Sequence, residues 1–419
     1  MGLGSAKPIS FIDKKEKLNY FLLLFVLSIA NIFPSPHSLA MHKVLPLRAL
    51  AHPRELIRQF TPNWFTLNMG TGIVFVLLAQ FPLDFPGRMA LVYGLYWTDA
   101  AFFLLFTGLF ITRWLLFRQY ALPLLRHPVQ SMFLGALPMA LIPLANGLAT
   151  LFPQWPWAIG AAVQLWWLDV LLSLAIGWLV PSVMFVTQEH SLERMTGVWL
   201  LPIVPAEVAA SSAGLLAPHL PLDQARTLVV TGYALWGMSV PLALGLLTLL
   251  YLRLAVHKLP PREMAVSTWL TLGPLGTGAL ALQTLGAAAP RALAHSVLAP
   301  LGAVAQPLGV AGALVLWGLG LWWLVTAAVL TVVQWRRGLP FNLGWWGFTF
   351  PVGVFVAATY ALGTDTGVTA FTRLATLLTS AVAGIWLVVI VRSLHGLWHG
   401  HLVQAPCLAQ AAPAGRMQA

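Results

Sequence analysis

The first long apolar stretch of the chain, residues 64–82, is WFTLNMGTGIVFVLLAQFP, and it contains no charged residue. About 20 apolar residues are enough to cross a bilayer as an α-helix. The stretch is interrupted by Met69-Gly70-Thr71-Gly72. Such interruptions are tolerated at membrane depth where neighbouring helices or a cavity satisfy the loosened backbone. The stretch therefore predicts a membrane helix that lines a path or a cavity.

Nine further stretches of similar length follow, and every second stretch in the chain contains proline or glycine near its centre. Only 8% of the residues are charged and the mean hydropathy is +0.81, whereas a soluble domain carries about 25% charged residues. The sequence predicts an all-α integral membrane protein. The ten predicted spans are 64–82, 89–116, 129–151, 157–186, 197–216, 225–252, 264–286, 308–335, 344–362 and 371–398.

The odd-numbered spans begin near residues 64, 129, 197, 264 and 344, and this period of about 65 to 80 residues indicates a repeat. Each unit is a helical hairpin. Five hairpins around an axis would give an inner and an outer ring, with the kinked odd helices lining a central pore. Asp99 and Asp169, which follow Trp97 and Trp167 at similar depth in even spans, are expected to bond backbone or hydroxyl groups of the inner helices.

Lysine and arginine are distributed unequally between the two sides of the predicted bundle. After Met41, fifteen lie on the side of the amino terminus and four on the other side. The positive-inside rule therefore predicts that both termini are cytoplasmic. We expect the membrane to be the inner, or plasma, membrane of the cell. The same rule accounts for the net charge of +11 without a nucleic-acid partner.

Four segments follow from this pattern. Residues 1–40 hold most of the lysines and a short apolar run, which resembles a secretory leader. We interpret them as a leader, an over-extended start or an artificial extension. Residues 41–63 are predicted to be a cytoplasmic amino-terminal segment, residues 64–399 the ten-helix transport domain, and residues 400–419 a cytoplasmic tail.

Six motifs lie in the odd spans or at their starts. They are Thr61-Pro62-Asn63-Trp64-Phe65, Met69-Gly70-Thr71-Gly72-Ile73, His127-Pro128-Val129-Gln130-Ser131, Pro205-Ala206-Glu207-Val208, Gly273-Pro274-Leu275-Gly276-Thr277-Gly278 and Trp345-Trp346-Gly347-Phe348-Thr349-Phe350-Pro351. Together they resemble the tellurite-resistance/dicarboxylate transporter family, which includes plant slow-type anion channels, yeast malate permeases and fungal sulfite exporters. The resemblance covers about residues 60 to 400. It implies a ten-helix protomer with quasi-fivefold symmetry, a separate pore in each protomer, and a homotrimer.

The resemblance also implies that a phenylalanine of the ninth span plugs the pore. The motif places this residue at Phe350, with Phe348 as the second candidate. An aromatic ring across a narrow apolar channel blocks ions because it excludes water. The candidates for pore-lining residues lie in the odd spans and are Gly70, Thr71, Gly72, Ser131, Pro138, Pro205, Gly273, Pro274 and Thr277.

Glu207 is the only acidic residue within an odd span. It either couples proton movement to anion movement or braces neighbouring helices through a hydrogen-bonded carboxyl group. The predicted function is accordingly transport of small anions, with chloride, nitrate, sulfite, tellurite and C4-dicarboxylates as candidates. The alternative is a proton-coupled transporter of sulfite or of a C4-dicarboxylate such as malate.

Other chemistry lacks a complete motif. Glu189-His190 has no second histidine of a metalloprotease helix, and the glycines from Gly273 to Gly278 lie inside an apolar span rather than a phosphate-binding loop. His395 and His399 are one turn apart, but no nearby carboxylate or cysteine completes a metal site. We therefore predict no enzyme activity, metal, cofactor or nucleic-acid partner, only small anions and the lipid bilayer.

Overall fold

The structure, a computed structural model, describes residues 54–405 together with Leu50, His52 and Leu408, and their secondary structure is entirely helical. The predicted leader, residues 1–40, lies outside the described residues. Ten α-helices match the ten predicted spans. They are α1 (Phe65–Ala79), α2 (Arg88–Leu116), α3 (Ala136–Leu151), α4 (Ala158–Thr187), α5 (Pro205–Leu216), α6 (Leu222–His257), α7 (Leu272–Leu293), α8 (Ala299–Trp335), α9 (Phe350–Thr366) and α10 (Thr369–His399).

The odd-numbered spans were predicted to be continuous α-helices, and the structure shows that they are not. Each begins with a 3₁₀ segment, namely Pro62–Trp64, Met132–Gly135, Gly197–Leu200, Arg262–Thr271 and Leu343–Phe348. The helix α5 is consequently only 12 residues long. Among the described residues, nine helices are long and apolar enough to cross a membrane, and α5 is not one of them. The other short helices are Glu55–Arg58, Arg118–Arg126, Ala217–His219 and His401–Val403.

Four prolines of the odd spans lie at helix starts rather than at central kinks, which corrects the prediction for these four, whereas Pro143 lies in the middle of α3. Pro205 and Pro351 occupy the first turn of α5 and α9, while Pro138 and Pro274 follow shortly after the starts of α3 and α7. Proline is tolerated there because its missing N–H would have no partner within the helix. Even helices also contain internal prolines, namely Pro181, Pro241 and Pro307, so proline content alone does not separate the two sets.

The ten helices form two concentric rings. Each odd helix packs against the next odd helix, and α9 packs against α1, which closes the inner ring. Each even helix packs against its hairpin partner and against the odd helix of the following hairpin. In the spans built on α1, α3, α7 and α9, 83% to 89% of the residues are buried, against 17% to 33% in the even helices. The predicted arrangement of five hairpins is confirmed.

One aromatic residue on each outer helix bonds to the inner helix of the following hairpin. The last bond joins α10 to α1, because Trp386 Nε1 donates to Thr71 Oγ1 at 3.1 Å. These five aromatic residues were not predicted as a set from the sequence, although each lies about 70 to 80 residues from the next. The other donors are Tyr96 OH to Leu144 O (3.4 Å), Trp166 Nε1 to Ala209 O (2.8 Å), Trp236 Nε1 to Gly278 O (3.0 Å) and Trp317 Nε1 to Thr359 Oγ1 (2.9 Å).

Glycines allow the inner helices to approach one another closely. A Cβ added to Gly276 would lie 2.5 Å from the backbone N of Phe355, and one added to Gly353 would lie 2.4 Å from Ile73 Cγ1. Neither position has room for a side chain. Equivalent contacts at the other inner interfaces are Gly72 against Pro143, Gly135 against Leu201 and Gly214 against Thr284.

Candidate functional site

Two cavities lie within the inner ring. The N-face cavity, on the side where the odd helices begin, has a volume of about 450 Å³. The C-face cavity, on the side where they end, has a volume of about 280 Å³. The C-face cavity is lined by odd helices alone, and the N-face cavity by odd helices, the segments that lead into them and the segment His401–Gln404. The two cavities therefore lie along the axis that the repeat predicted for a path.

Phe350 lines both cavities. It is the first residue of α9 and only 3% of it is exposed. Phe348 lines neither cavity, because its ring packs edge-on against Trp269 and Trp345, at centroid distances of 5.4 and 5.7 Å. The two gate candidates thus occupy different environments: Phe350 lies between two cavities, whereas Phe348 belongs to an aromatic packing cluster.

Of the predicted pore-lining residues, Thr277 lines the C-face cavity. The others lie outside the lining of these two cavities. A Cβ added to Gly70 would lie 2.5 Å from the ring of Trp346, so this glycine faces the segment that leads into α9 rather than an open path. Gly72 faces Pro143 in the same way.

Hydroxyl groups in this set are already engaged in hydrogen bonds. Thr71 Oγ1 donates to Leu67 O and accepts from Trp386 Nε1. Ser131 Oγ donates to His127 O at 2.9 Å and accepts from Gln188 Nε2 at 3.1 Å. The remaining candidates, Pro138, Pro205, Gly273 and Pro274, are buried at or just after the start of inner helices. Their roles in a path stay predictions.

The described lining of both cavities contains no lysine or arginine. Glu263 is the one carboxylate in the N-face lining, where His127 and His401 are the other titratable groups. The C-face lining has Tyr360 and neutral polar side chains, among them Gln80, Asn146 and Thr284. An anion in this path would therefore meet hydrogen-bond donors and apolar surface rather than a fixed positive charge.

Glu207 is fully buried between α5 and α7. Thr277 Oγ1 lies 2.8 Å from Glu207 Oε1 and 2.7 Å from Gly273 O. A threonine hydroxyl has one proton to donate. If that proton goes to Gly273 O, the hydrogen bond to Glu207 must be donated by a protonated carboxyl group. The geometry thus suits a neutral Glu207 that joins two inner helices, with Thr277 between it and the C-face cavity.

The aspartates of the outer helices have other partners than expected. Asp99 Oδ1 accepts from the Asn68 amide of α1 at 2.9 Å, so its partner is neither a backbone group nor a hydroxyl. Asp169 Oδ2 accepts from Ser173 Oγ at 3.4 Å, and Ser173 lies on the same helix. Both carboxyl groups are fully buried. Asp99 thus links its outer helix to an inner helix, as predicted, although through a side-chain amide. The hydrogen bond of Asp169 stays within its own helix.

Polar residues near the ends of the outer helices hold the N-face loops, and the sequence analysis had treated the arginines only as topological charges. Arg253 Nη2 donates to Glu193 O at 2.9 Å, ahead of α5, and Arg113 Nη2 donates to Tyr120 O at 2.8 Å. Gln188 and Gln334 donate in the same way to Leu125 O and Pro260 O. These bonds fix several of the segments that line or flank the N-face cavity.

The histidines at the end of α10 lie close together. The ring centroids of His395 and His399 are 4.3 Å apart, and His399 Nδ1 lies 2.9 Å from His395 O. His401 borders the N-face cavity. Within the part of the chain that the structure describes, no group of three or more His, Cys, Asp or Glu side chains could hold a metal ion.

Comparison with known proteins agrees with this architecture. Residues 59–394 match the family model described as voltage-dependent anion channel, SLAC1. The chain is 39% identical over 345 residues to the sulfite efflux pump SSU1 of Arthroderma otae. The aligned region covers 81% of this chain and 91% of that protein.

Two more distant relatives show the breadth of the similarity. An uncharacterized transporter of Methanocaldococcus jannaschii is 28% identical over 75% of this chain and 86% of its own length. The malic acid transport protein of Schizosaccharomyces pombe is 23% identical over 74% of this chain and 72% of its own length. The chain therefore belongs to the voltage-dependent anion channel (SLAC1) family of multi-pass membrane proteins, the tellurite-resistance/dicarboxylate transporter family to which its motifs pointed.

Proposed function

We propose that this protein moves small anions across the membrane along the axis of its inner ring, and that Phe350 is the gate. One observation carries the proposal: Phe350 borders both the N-face and the C-face cavity. Its ring occupies the boundary that an ion would have to cross. Blockage there is steric and also excludes water, as in hydrophobic constrictions of channels.

The lining supports selection of anions by neutral donors and by size. Without lysine or arginine in the described lining, the site lacks the fork of donors that binds a carboxylate tightly in two places. Weak binding favours passage, because an ion must leave the path as easily as it enters. Chloride, nitrate, sulfite, tellurite and C4-dicarboxylates remain the candidate substrates, and the names of the relatives favour sulfite and malate. The proposal includes no catalytic reaction.

The second candidate function is proton-coupled transport, and Glu207 is the observation that favours it. This buried carboxyl group is hydrogen-bonded to Thr277, which lines the C-face cavity. A carrier needs a group that gains and loses a proton during transport, whereas a channel does not. If Glu207 only braces the helices, its protonation state stays the same during transport. If it couples protons to anions, it gains and loses a proton in each transport cycle.

Flux into proteoliposomes tests the proposal. Chloride, nitrate, sulfite and malate are each supplied with and without a pH gradient, and empty liposomes are the control. Channel-like conduction predicts that an imposed voltage drives uptake and that the pH gradient adds little. Uptake that requires the pH gradient supports the proton-coupled alternative. Absence of protein-dependent flux for every anion contradicts the proposed function.

We further propose that the N-face is cytoplasmic, in the inner or plasma membrane, and that the protein forms a homotrimer with one path in each protomer. The excess of lysine and arginine on the amino-terminal side supports the orientation. In variants without Cys407, single cysteines at Gln154 and Pro290 should react with an impermeant label from outside. A cysteine at Gly338 should react only from inside. The opposite pattern contradicts the orientation, and cross-linking in membranes tests the trimer.

A further inference from the structure

The turn that leads into α3 lies beside the N-face cavity and holds buried polar atoms that have no hydrogen-bond partner among the described residues. His127 Nδ1 accepts from the backbone N–H of Val129 at 3.2 Å and of Gln130 at 3.1 Å. A neutral imidazole whose Nδ1 is an acceptor carries its proton on Nε2. The backbone of this turn therefore assigns the tautomer, and Nε2–H is a donor.

This donor has no partner among the described residues. His127 Nε2 is buried and makes no hydrogen bond within the described part of the chain, and His127 lines the N-face cavity. Gln130 lines the same cavity, is 6% exposed, and its buried Oε1 also lacks a hydrogen bond. Native structures leave few buried polar groups unpaired, and those that remain call for a water, an ion or a ligand.

The surroundings keep His127 neutral. A second proton would have to bind Nδ1, where it would break both bonds from the backbone. Burial also lowers the pKa of His127 below its ordinary value. The other titratable groups of the cavity lining are Glu263 and His401. His127 can therefore donate to an anion without becoming an acid that the anion would deprotonate.

We infer that His127 Nε2–H and the Gln130 amide form a binding subsite for oxyanions that carry a hydroxyl group. The imidazole donates to a charged oxygen of the ligand, and Gln130 Oε1 accepts from its hydroxyl. A 2-hydroxycarboxylate such as malate satisfies both groups, as does the hydroxyl form of hydrogen sulfite. Chloride cannot satisfy an acceptor, and succinate differs from malate only by lacking the hydroxyl. The inference rests on the proposed anion transport and names the class of anion.

Malate and succinate provide the matched ligand test on the wild-type protein. A ligand that binds the folded state stabilises it by an amount that grows with the logarithm of ligand concentration over Kd, so at equal concentration the tighter ligand raises the midpoint of thermal unfolding further. In detergent we expect malate to bind roughly three- to tenfold more tightly than succinate, as for one hydrogen bond. Equal stabilisation by the two acids overturns the role of Gln130. This readout does not require transport, so it separates failure of the subsite from failure of the proposed function.

Two substitutions separate the nitrogens of His127. In His127→Asn the amide oxygen takes the place of Nδ1 and can still accept from Val129 and Gln130, while the Nε2 donor is lost. In His127→Gln the amide nitrogen takes the place of Nε2, while the acceptor is lost. We expect His127→Asn to weaken malate binding three- to tenfold and His127→Gln to weaken it less.

The controls decide between binding and folding. His219→Asn, at an exposed histidine outside both cavity linings, should bind malate as the wild type does. Gln130→Leu should remove the preference for malate over succinate. Wild-type affinity in His127→Asn, with weakened binding in His127→Gln, would show that His127 only caps the turn and would overturn the inference. If neither variant folds, the comparison of malate with succinate still decides it.

Discussion

The inner and outer rings are made of equally apolar sequence and yet differ in almost every structural property. Outer helices are long and unbroken, and only 17% to 33% of the residues in the most apolar part of each are buried. Inner helices are shorter, start as 3₁₀ segments and are almost wholly buried. Hydropathy alone does not separate the two sets, because a lipid-facing side chain and a buried side chain are both apolar in a membrane protein.

The difference shows how cavities can lie inside a bundle of membrane helices. The outer ring forms continuous helices, whose backbone groups are satisfied within each helix in lipid. The inner ring can use broken backbone because lipid does not reach it. Glycine contacts join the inner helices to one another, and aromatic hydrogen bonds join each outer helix to the next inner helix. Each of the following variants tests one part of this division.

The largest effect is expected where the inner helices meet at glycine. Gly276→Leu would place a side chain against the backbone of Phe355, where a Cβ would already lie only 2.5 Å from N. Overpacking typically lowers the free energy of unfolding by about 1–3 kcal/mol. The clash at Gly276 is with the backbone of Phe355, which cannot move aside as a side chain can, so we expect that the variant does not fold. Size-exclusion chromatography and thermal unfolding in detergent measure this. The matched control is Gly237→Leu on α6, where nothing lies within 4 Å of an added Cβ. Equal loss in both variants contradicts the comparison.

A large effect on transport, without loss of fold, is expected at the gate. Phe350→Ala removes the ring between the cavities and should raise anion flux at least tenfold, which corresponds to about 1.4 kcal/mol of barrier. Its stability should fall less than for a core aromatic, because a ring beside cavities has fewer packing partners to lose. Liposome flux or single-channel recording checks the rise. Phe348→Ala is the control and should change flux much less.

The outcomes at these two positions are distinguishable. A large rise in Phe348→Ala with an unchanged Phe350→Ala would move the gate by two residues along the chain. No rise in either variant would remove the aromatic plug from this protein.

A smaller effect is expected where the rings join. Trp386→Phe keeps most of the ring but removes the N–H that donates to Thr71 Oγ1, the bond that joins α10 to α1. Loss of one such bond costs about 0.5–1.5 kcal/mol, so the midpoint of thermal unfolding should fall measurably. Trp398→Phe is the control, because Trp398 is 52% exposed on the same helix. Equal midpoints in the two variants would mean that the bond to α1 does not stabilise the ring closure.

The smallest effect is expected at Glu207. If it is a neutral brace, Glu207→Gln should retain most of the anion flux with unchanged pH dependence, because an amide keeps the volume and can either accept from Thr277 Oγ1 or donate to it. Flux measured from pH 5 to pH 8 checks this. Loss of proton-driven uptake with anion exchange preserved would instead support the proton-coupled alternative.

The sequence by itself determined the membrane fold, the number of spans, the hairpin repeat and the family. These properties depend on long apolar runs, on their spacing and on motifs within the odd spans, and all of them are local in the chain. The same local information limited the candidate site to two phenylalanines, because Phe348 and Phe350 share one motif.

Only the tertiary structure decided which side of each inner helix faces a cavity. Gly70 and Gly72 belong to a motif that suggested a path, yet they face Trp346 and Pro143, because close packing of two helices and the lining of a pore both favour glycine. The paired environments of Phe350 and Phe348 depend on helices far apart in the chain. So does the Nε2 of His127, which has no hydrogen-bond partner in the described part of the chain, because an unpaired donor can be recognised only once its neighbours have been placed.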